Sequence, residues 1–73
     1  MALSYAYYYA IIDLSTNMCV EVQDTSDYMD PNEFPDYITI PEFDEELLLK
    51  YYHNGRWYYD TSFQNEYIPI WEQ

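Results

Sequence analysis

The sequence predicts an α+β fold, in which a small antiparallel sheet packs against one short helix. Aromatic and β-branched residues over positions 5–14, followed by alternating apolar and polar residues over positions 18–23, predict an amino-terminal β-hairpin. Helix-forming residues over positions 44–52 predict the helix, and strand-like stretches over positions 37–40 and 56–60 predict further short strands. A chain of 73 residues is expected to form one domain with a small core.

The first predicted strand, residues 5–14, carries bulky apolar side chains on both faces. Such a strand is either covered on both sides or presents one face to a partner, and a homodimer is one way to cover it. Residues 15–17 form the predicted hairpin loop, in which Asn17 is able to take a positive φ. In the second strand, residues 18–23, Cys19 is expected on the wetter face or at a partner contact because the larger apolar residues alternate with it.

The segment from residue 24 to residue 36 is expected to be an ordered loop, because neither a strand period nor a helix period continues through it. The dipeptides Asp30-Pro31 and Phe34-Pro35 stop any long helix, since a residue before proline is disfavoured in the helical region. A short strand over residues 37–40 follows and ends at Pro41.

The predicted helix over residues 44–52 has acidic residues in its first turn and Lys50 near its end, which suits the helix dipole. The dipeptide Asn54-Gly55 follows and is interpreted as a helix C-cap. A strand over residues 56–60 leaves this turn, and a last edge strand over residues 66–71 is interrupted by a proline.

The charge balance restricts the classes of partner. The chain has 14 Asp and Glu against 2 Lys and Arg, which gives a formal net charge of −12. Direct binding of nucleic acid or of an anionic membrane is excluded, because contacts to phosphate require Lys and Arg. The 11 Tyr, 2 Trp and 3 Phe supply enough apolar surface for folding, so the chain is not predicted to be a disordered acidic tail.

Several features predict a soluble protein that is intracellular at some stage. The first five residues lack the basic region of a signal peptide, and the longest apolar run, residues 5–12, is too short to cross a bilayer. A single cysteine, Cys19, fits a reducing cytoplasm and precludes an intrachain disulfide.

No catalytic, metal or cofactor site is predicted. Cys19 and His53 are the only residues of their types, lie in unrelated predicted elements and do not fill a tetrahedral zinc site. The segment from Asp24 to Asp30 has acids at every third position, whereas a calcium loop of the EF-hand type needs oxygens at alternate positions and a glycine at the sixth. Gly55 is the only glycine, so no phosphate-binding loop is present. We therefore expect a non-enzymatic protein.

The most unusual feature is a series of acids at every third position, which we call the acidic ladder: Asp24, Asp27, Asp30, Glu33 and Asp36. Carboxylates three residues apart in an extended segment lie about 9 Å apart, a spacing of the same scale as that of backbone phosphates. The ladder is therefore a candidate surface for a basic protein groove that normally holds nucleic acid. The simplest alternative is a solvated loop that limits aggregation, and a fortuitous cation site is a third interpretation.

The candidate surface extends beyond the ladder. Acids that follow it in the sequence are expected to join it in one acidic face: Glu42, Asp44, Glu45 and Glu46. Aromatic residues between the acids are expected to supply the desolvated anchors that charge alone does not provide: Tyr28, Phe34 and Tyr37. No Lys or Arg precedes Lys50, whereas 11 of the 14 acids do.

Several short motifs spread over most of the chain resemble small proteins encoded by bacteriophages and prophages of Gram-positive bacteria. The residues that carry the resemblance are Tyr9-Ala10-Ile11-Ile12-Asp13, Asn17-Met18-Cys19-Val20, Asp24-Thr25-Ser26, Ile40-Pro41-Glu42-Phe43-Asp44, Lys50-Tyr51-Tyr52 and Asn54-Gly55-Arg56-Trp57. The genes of such proteins commonly lie near tail genes. The resemblance implies a phage origin without an established activity, and it leaves two roles open, a virion accessory or a counter-defence protein.

The high negative charge favours the counter-defence role. The leading hypothesis is an inhibitor of the anti-CRISPR or anti-restriction type, which acts in the host bacterial cytoplasm and occupies a basic surface of a nucleic-acid-handling protein by nucleic-acid mimicry. The alternative is a structural accessory of the virion or its tail, which binds through the tyrosine-rich first strand or adds a strand to a neighbouring sheet.

Overall fold

The amino-terminal hairpin is present in the computed structural model, which describes residues 7–73. Strand β1 spans Tyr7–Asp13 and pairs antiparallel with β2, which spans Met18–Thr25. Asn17 in the connecting turn has a φ of 64°, as predicted. The positions Tyr5 and Ala6 of the predicted first strand lie outside the described residues.

The hairpin forms part of a six-stranded sheet in which all pairs of neighbouring strands are antiparallel. The order of strands across the sheet is β3-β1-β2-β4-β5-β6. The remaining strands are β3 (Tyr37–Ile40), β4 (Tyr51–His53), β5 (Arg56–Tyr58) and β6 (Glu66–Tyr67). Two 3₁₀ turns complete the described elements, Glu45–Leu47 and Ile70–Glu72.

The α+β prediction is wrong, because the described residues contain no α-helix and the sheet is the whole framework. The predicted helix over residues 44–52 is replaced by the 3₁₀ turn Glu45–Leu47 and by β4. After the turn, Leu48 has a ψ of 130° and Leu49 has a φ of 70°. Both angles leave the helical path, which requires a φ of about −63° and a ψ of about −42°.

The dipeptide Asn54-Gly55 gives the physical reason for this difference. Asn54 has a φ of 50° and Gly55 a φ of 81°, which are the two positive values of a type I′ hairpin turn. The turn joins β4 to β5 and places Tyr52 opposite Trp57, with their ring centroids 4.8 Å apart. The dipeptide is therefore a hairpin turn and not the predicted helix C-cap, and the residues before it are drawn into a strand.

Replacing Gly55 with alanine tests the role of this turn. A Cβ atom at Gly55 meets no heavy atom within 4 Å, so the expected cost is that of the left-handed backbone alone. We expect the free energy of unfolding, measured by urea titration, to fall by about 1 kcal/mol. The control is Asn54→Gly, which keeps the turn and is expected to change stability by only a few tenths of a kcal/mol. Equal stability of Gly55→Ala and the parent chain would contradict the turn assignment.

A β-bulge in the hairpin reverses the expected placement of Cys19. Ile11 pairs with Glu21 whereas Ile12 pairs with Cys19, so Val20 is an extra residue in β2. The bulge shifts the alternation by one residue, which turns both Cys19 and Val22 towards the core. Cys19 is fully buried in the core, so its predicted placement on the wetter face or at a partner contact is wrong, and burial raises the pKa of its thiol.

The hydrophobic core lies on the face of the sheet that carries Tyr8, Ala10 and Ile12 of β1. The carboxyl-terminal half of the chain covers this face. The fully or largely buried residues of the core are Ala10, Ile12, Cys19, Ile40, Leu47, Trp57 and Tyr67. Tyr9 points to the opposite face and is also fully buried, which means that β1 is covered on both sides. Of the two interpretations of its bulky faces, the described part of the strand therefore fits a central, covered strand.

Candidate functional site

The acidic loop, residues 26–36, is the structure that covers the second face of β1. It leaves β2 at Thr25, which pairs with Tyr7, and it reaches β3 at Asp36, whose carbonyl oxygen accepts a hydrogen bond from the Ile12 N–H at 2.9 Å. The two ends of the loop are thus separated by about 17 Å along β1 and about 10 Å across it. The loop therefore crosses the Tyr9 face of the strand diagonally.

Tyr9 is the main anchor of the acidic loop. Its hydroxyl oxygen accepts a hydrogen bond from the backbone N–H of Met29 at 2.8 Å, and its ring packs edge-on against Tyr37 with centroids 5.5 Å apart. Because Tyr9 is fully buried beneath the loop, this contact holds the middle of the loop against the sheet.

A turn within the loop gives it internal order. The carbonyl oxygen of Asp30 accepts hydrogen bonds from the N–H groups of Glu33 and Phe34 at 2.9 and 2.8 Å. The carboxylate of Asp30 accepts a further bond from the Asn32 N–H at 2.9 Å. These local bonds, together with the Tyr9 anchor, fix the positions of the loop acids without a partner.

The aromatic residues predicted as partner anchors form an intramolecular cluster. Tyr28 packs edge-on against Tyr7 at 5.7 Å, and Phe34 packs edge-on against Tyr37 at the same centroid distance. Tyr37 is half-buried, whereas Phe34 is exposed and Tyr28 is 61% exposed. The contacts between these rings therefore stabilise the loop, while the outer surfaces of Tyr28 and Phe34 stay accessible.

The ladder carboxylates are mostly exposed and lack basic neighbours. Asp24, Asp27 and Glu33 are exposed, and Asp30 and Asp36 are half-buried. Among residues 7–73, the ion pairs are those of Arg56 with Glu66 and Glu72, at the other end of the sheet. The negative charge of the acidic loop is thus uncompensated within the described part of the molecule.

The predicted acids do not form one continuous face. Asp24 pairs with Tyr8 and so projects from the core face of the sheet, and Phe43 packs against Tyr8 with ring centroids 6.4 Å apart. The acidic turn, residues 42–46, therefore passes over the face opposite to the acidic loop. Its exposed acids, Glu42, Glu45 and Glu46, therefore lie on the same side of the sheet as Asp24, away from the acidic loop.

Asp44 stands apart from all the other predicted site residues because it is buried. Its carboxylate accepts three hydrogen bonds, from the Glu46 N–H at 3.0 Å, the Tyr67 hydroxyl at 2.7 Å and the Ile70 N–H at 3.0 Å. Burial, reinforced by the bond to Asp44, raises the pKa of the Tyr67 hydroxyl well above its usual range. The expectation that Asp44 faces a partner is therefore wrong, since its side chain joins two distant parts of the chain.

The residues with reactive side chains are not brought together. Cys19 is buried in the core, where its thiol contacts the carbonyl oxygen of Glu21 at 3.3 Å. His53 lies in β4 and stacks on the ring of Phe63 with centroids 4.0 Å apart. Within residues 7–73 no group of three or more His, Cys, Asp or Glu side chains is placed to hold a metal ion.

A groove that sequence analysis did not find lies beside the acidic turn. We call it the edge groove, and its apolar lining consists of Val20, Val22, Phe43 and Leu48, with Glu21 and Glu45 also lining it. The groove depends on the bulge at Val20 and on the extended conformation of Leu48. Neither has a signal in the local sequence, since the bulge is set by strand pairing and the residues of the turn predict a helix.

None of the helices formed by residues 7–73 has the length and apolar character needed to span a membrane. Searches of protein-family models, of curated proteins and of solved structures found no match to this chain.

Proposed function

We propose that this chain is a phage-encoded, non-enzymatic inhibitor that covers a basic nucleic-acid-binding surface of a host defence protein. In this proposal it acts in the cytoplasm of the bacterial host, as an inhibitor of the anti-CRISPR or anti-restriction type. The observation that carries the proposal is the ordered acidic loop, which presents exposed carboxylates without compensating bases in the described residues.

Order in the loop matters for affinity. A flexible acidic segment loses conformational entropy when it binds, whereas a loop anchored by Tyr9 and by the Asp30 turn has already lost most of it. Fixed carboxylates then take the positions of phosphates against Lys and Arg of the partner, and the net charge of −12 accelerates the encounter. The accessible surfaces of Tyr28 and Phe34 provide apolar contacts next to the charges.

The test compares two variants of equal charge in nuclease and DNA-binding assays with a panel of CRISPR effectors and restriction enzymes. In the loop variant, Asp27, Asp30 and Glu33 become amides, and in the control variant Asp60, Glu66 and Glu72 become amides. Each changes three carboxylates and so moves the formal net charge from −12 to −9. Circular dichroism verifies that both variants are folded.

We expect the parent chain to inhibit a member of the panel, and the loop variant to inhibit it about tenfold to a hundredfold less well. The control variant is expected to retain most of the inhibition, and inhibition by the parent chain is expected to weaken as salt is raised. Inhibition that is retained by the loop variant and does not depend on salt concentration would contradict the proposal.

The second candidate function is a structural accessory of the virion, and the outer edge of β3 is the feature that favours it. Among the strands of residues 7–73, β3 is the first in the sheet order, so no described strand pairs with the outer side of Tyr37–Ile40 and a neighbouring strand is able to add there. The originally expected route through the tyrosine-rich first strand is less favourable, because Tyr9 is buried beneath the acidic loop. Mass spectrometry of purified phage particles separates the two functions, since a stoichiometric amount of the protein in virions favours the structural one.

A further inference from the structure

The edge groove is an exposed apolar feature next to the hydrophobic core. It has a volume of about 260 Å³, and three of its apolar side chains are strongly exposed: Val20 is 48% exposed, Phe43 42% and Leu48 43%. Apolar side chains that are exposed singly need no explanation, but a contiguous group with a concave shape is typical of an interaction site.

The backbone beside the groove is also incompletely paired. Cys19 of β2 donates a hydrogen bond to the Lys50 carbonyl at 2.7 Å and accepts one from the Leu49 N–H at 2.8 Å. Beyond Cys19, no further strand of residues 7–73 pairs with the outer side of β2, since its only residue paired with β4 is Met18. An open strand edge next to an apolar groove is the arrangement that receives an extended peptide segment.

The charge around the groove indicates the kind of segment. Two acidic residues, Glu21 and Glu45, are part of the groove lining. Two further exposed acids, Glu42 and Glu46, flank Phe43 and Glu45 in the same acidic turn, and no Lys or Arg is part of the groove lining. A segment in which an apolar side chain lies between basic side chains therefore matches both the apolar lining of the groove and the acids around it.

We propose that the edge groove binds an extended basic segment of a partner protein. One aliphatic side chain of that segment packs between Val22, Phe43 and Leu48, and Lys or Arg residues on either side of it meet Glu21 and Glu45. This inference rests on the proposed function only in taking the partner to be basic. It adds a specific apolar contact on the face opposite to the acidic loop.

A second copy of the chain is a poor occupant of the groove. Each copy carries a formal net charge of −12, and an equally acidic surface would lie against the acidic rim. The like charges would oppose association at the ionic strengths where a basic segment binds best.

The test uses two synthetic peptides of equal charge, acetyl-Lys-Lys-Leu-Lys-Lys-amide and acetyl-Lys-Lys-Ser-Lys-Lys-amide. Their dissociation constants are measured by NMR titration of the full chain, which also maps the residues that respond. We expect the leucine peptide to bind about tenfold more tightly than the serine peptide and to shift the resonances of Val20, Val22 and Leu48.

A pair of variants assigns the difference to the groove. Leu48→Ser is expected to remove the preference for the leucine peptide. Leu14→Ser, at a residue 57% exposed in the β1–β2 turn, is the control and is expected to retain it. Light scattering of the parent chain and of Leu48→Ser checks that the groove is free, with a monomer expected for both.

Each other result overturns the inference. Equal affinities for the two peptides, absence of binding by both, or resonance shifts confined to the acidic loop would show that the groove is not a peptide site. A dimer of the parent chain that dissociates in Leu48→Ser would assign the groove to a second copy. None of these results decides the proposed function, which fails separately if the loop variant inhibits as well as the parent chain.

Discussion

Replacing Asp44 with alanine is expected to lower the free energy of unfolding by about 3 kcal/mol. The substitution removes the acceptor of three hydrogen bonds and leaves the buried Tyr67 hydroxyl without its partner. A chain of 73 residues is expected to have a total stability of roughly 4 to 11 kcal/mol. The loss is therefore a large fraction of the total, and urea titration at constant temperature measures it.

Two further variants identify the cause of this loss. In Asp44→Asn the single amide oxygen can keep both bonds made to Oδ2, from the Tyr67 hydroxyl and the Ile70 N–H, and the NH₂ then faces only the Glu46 N–H; the expected loss is smaller than in Asp44→Ala. The control is Glu45→Ala, at the next residue and exposed, which is expected to change stability by less than about 0.5 kcal/mol. A loss in Glu45→Ala as large as that in Asp44→Ala would show that the 3₁₀ turn, and not the buried network, is responsible.

Asp44 also shows why the sequence does not distinguish a buried acidic residue from the exposed ones. Its two distant partners, Tyr67 and Ile70, lie 23 and 26 residues further along the chain. Within the sequence it is one acid among neighbours of the same charge, and only the fold distinguishes a buried carboxylate from exposed ones. Composition therefore shows that the chain is acidic, but it does not show that the carboxylate of Asp44 is part of the core.

The elements that sequence analysis predicted well are those specified by local chemistry. The amino-terminal hairpin, the positive φ of Asn17 and the strand ending before Pro41 all follow from alternation and from turn residues. The helix over residues 44–52 failed because its local signals were ambiguous. Acids before a leucine run suit a helix, but Asn54-Gly55 is a stronger signal for a type I′ hairpin, and cross-strand packing of Tyr52 with Trp57 stabilises that alternative.

The arrangement of the acids in the candidate site was not predicted correctly for a different reason. The acidic ladder is regular in sequence, but β2 extends through Thr25, so Asp24 belongs to a strand and the other ladder acids to a loop. A strand turns successive side chains to opposite faces, which separates Asp24 from Asp27 to Asp36. The bulge at Val20 was likewise not predictable from the local sequence, because it is set by the pairing of β1 with β2 and not by the residues of β2 alone.

The second large effect is expected at Tyr9. Tyr9→Ala removes a fully buried aromatic ring between the sheet and the acidic loop, and the expected loss of stability is about 3 to 5 kcal/mol. Tyr9→Phe keeps the ring and removes only the hydroxyl that accepts from the Met29 N–H, with an expected loss of about 1 kcal/mol. Urea titration measures both, and the phenylalanine variant remains folded if the alanine variant does not.

Hydrogen exchange of the Met29 amide separates the anchoring role of Tyr9 from its contribution to packing. In Tyr9→Phe this amide loses its acceptor and is expected to exchange faster than in the parent chain, whereas amides in the centre of β1 are expected to change little. The control is Tyr28→Phe, because Tyr28 is 61% exposed and its ring contact with Tyr7 is retained. Unchanged exchange at Met29 in Tyr9→Phe would contradict the anchor.

The same variant links the fold to the proposed inhibition. Tyr9→Phe leaves every carboxylate in place, so the electrostatic contribution to the association rate is expected to stay the same. A loop that is less firmly held must be ordered in the complex, so the dissociation rate is expected to rise by a few-fold. Stopped-flow kinetics with an inhibited effector measures both rates. Association and dissociation rates that are both unchanged would mean that the loop acts through its charge alone and that its order contributes nothing to binding.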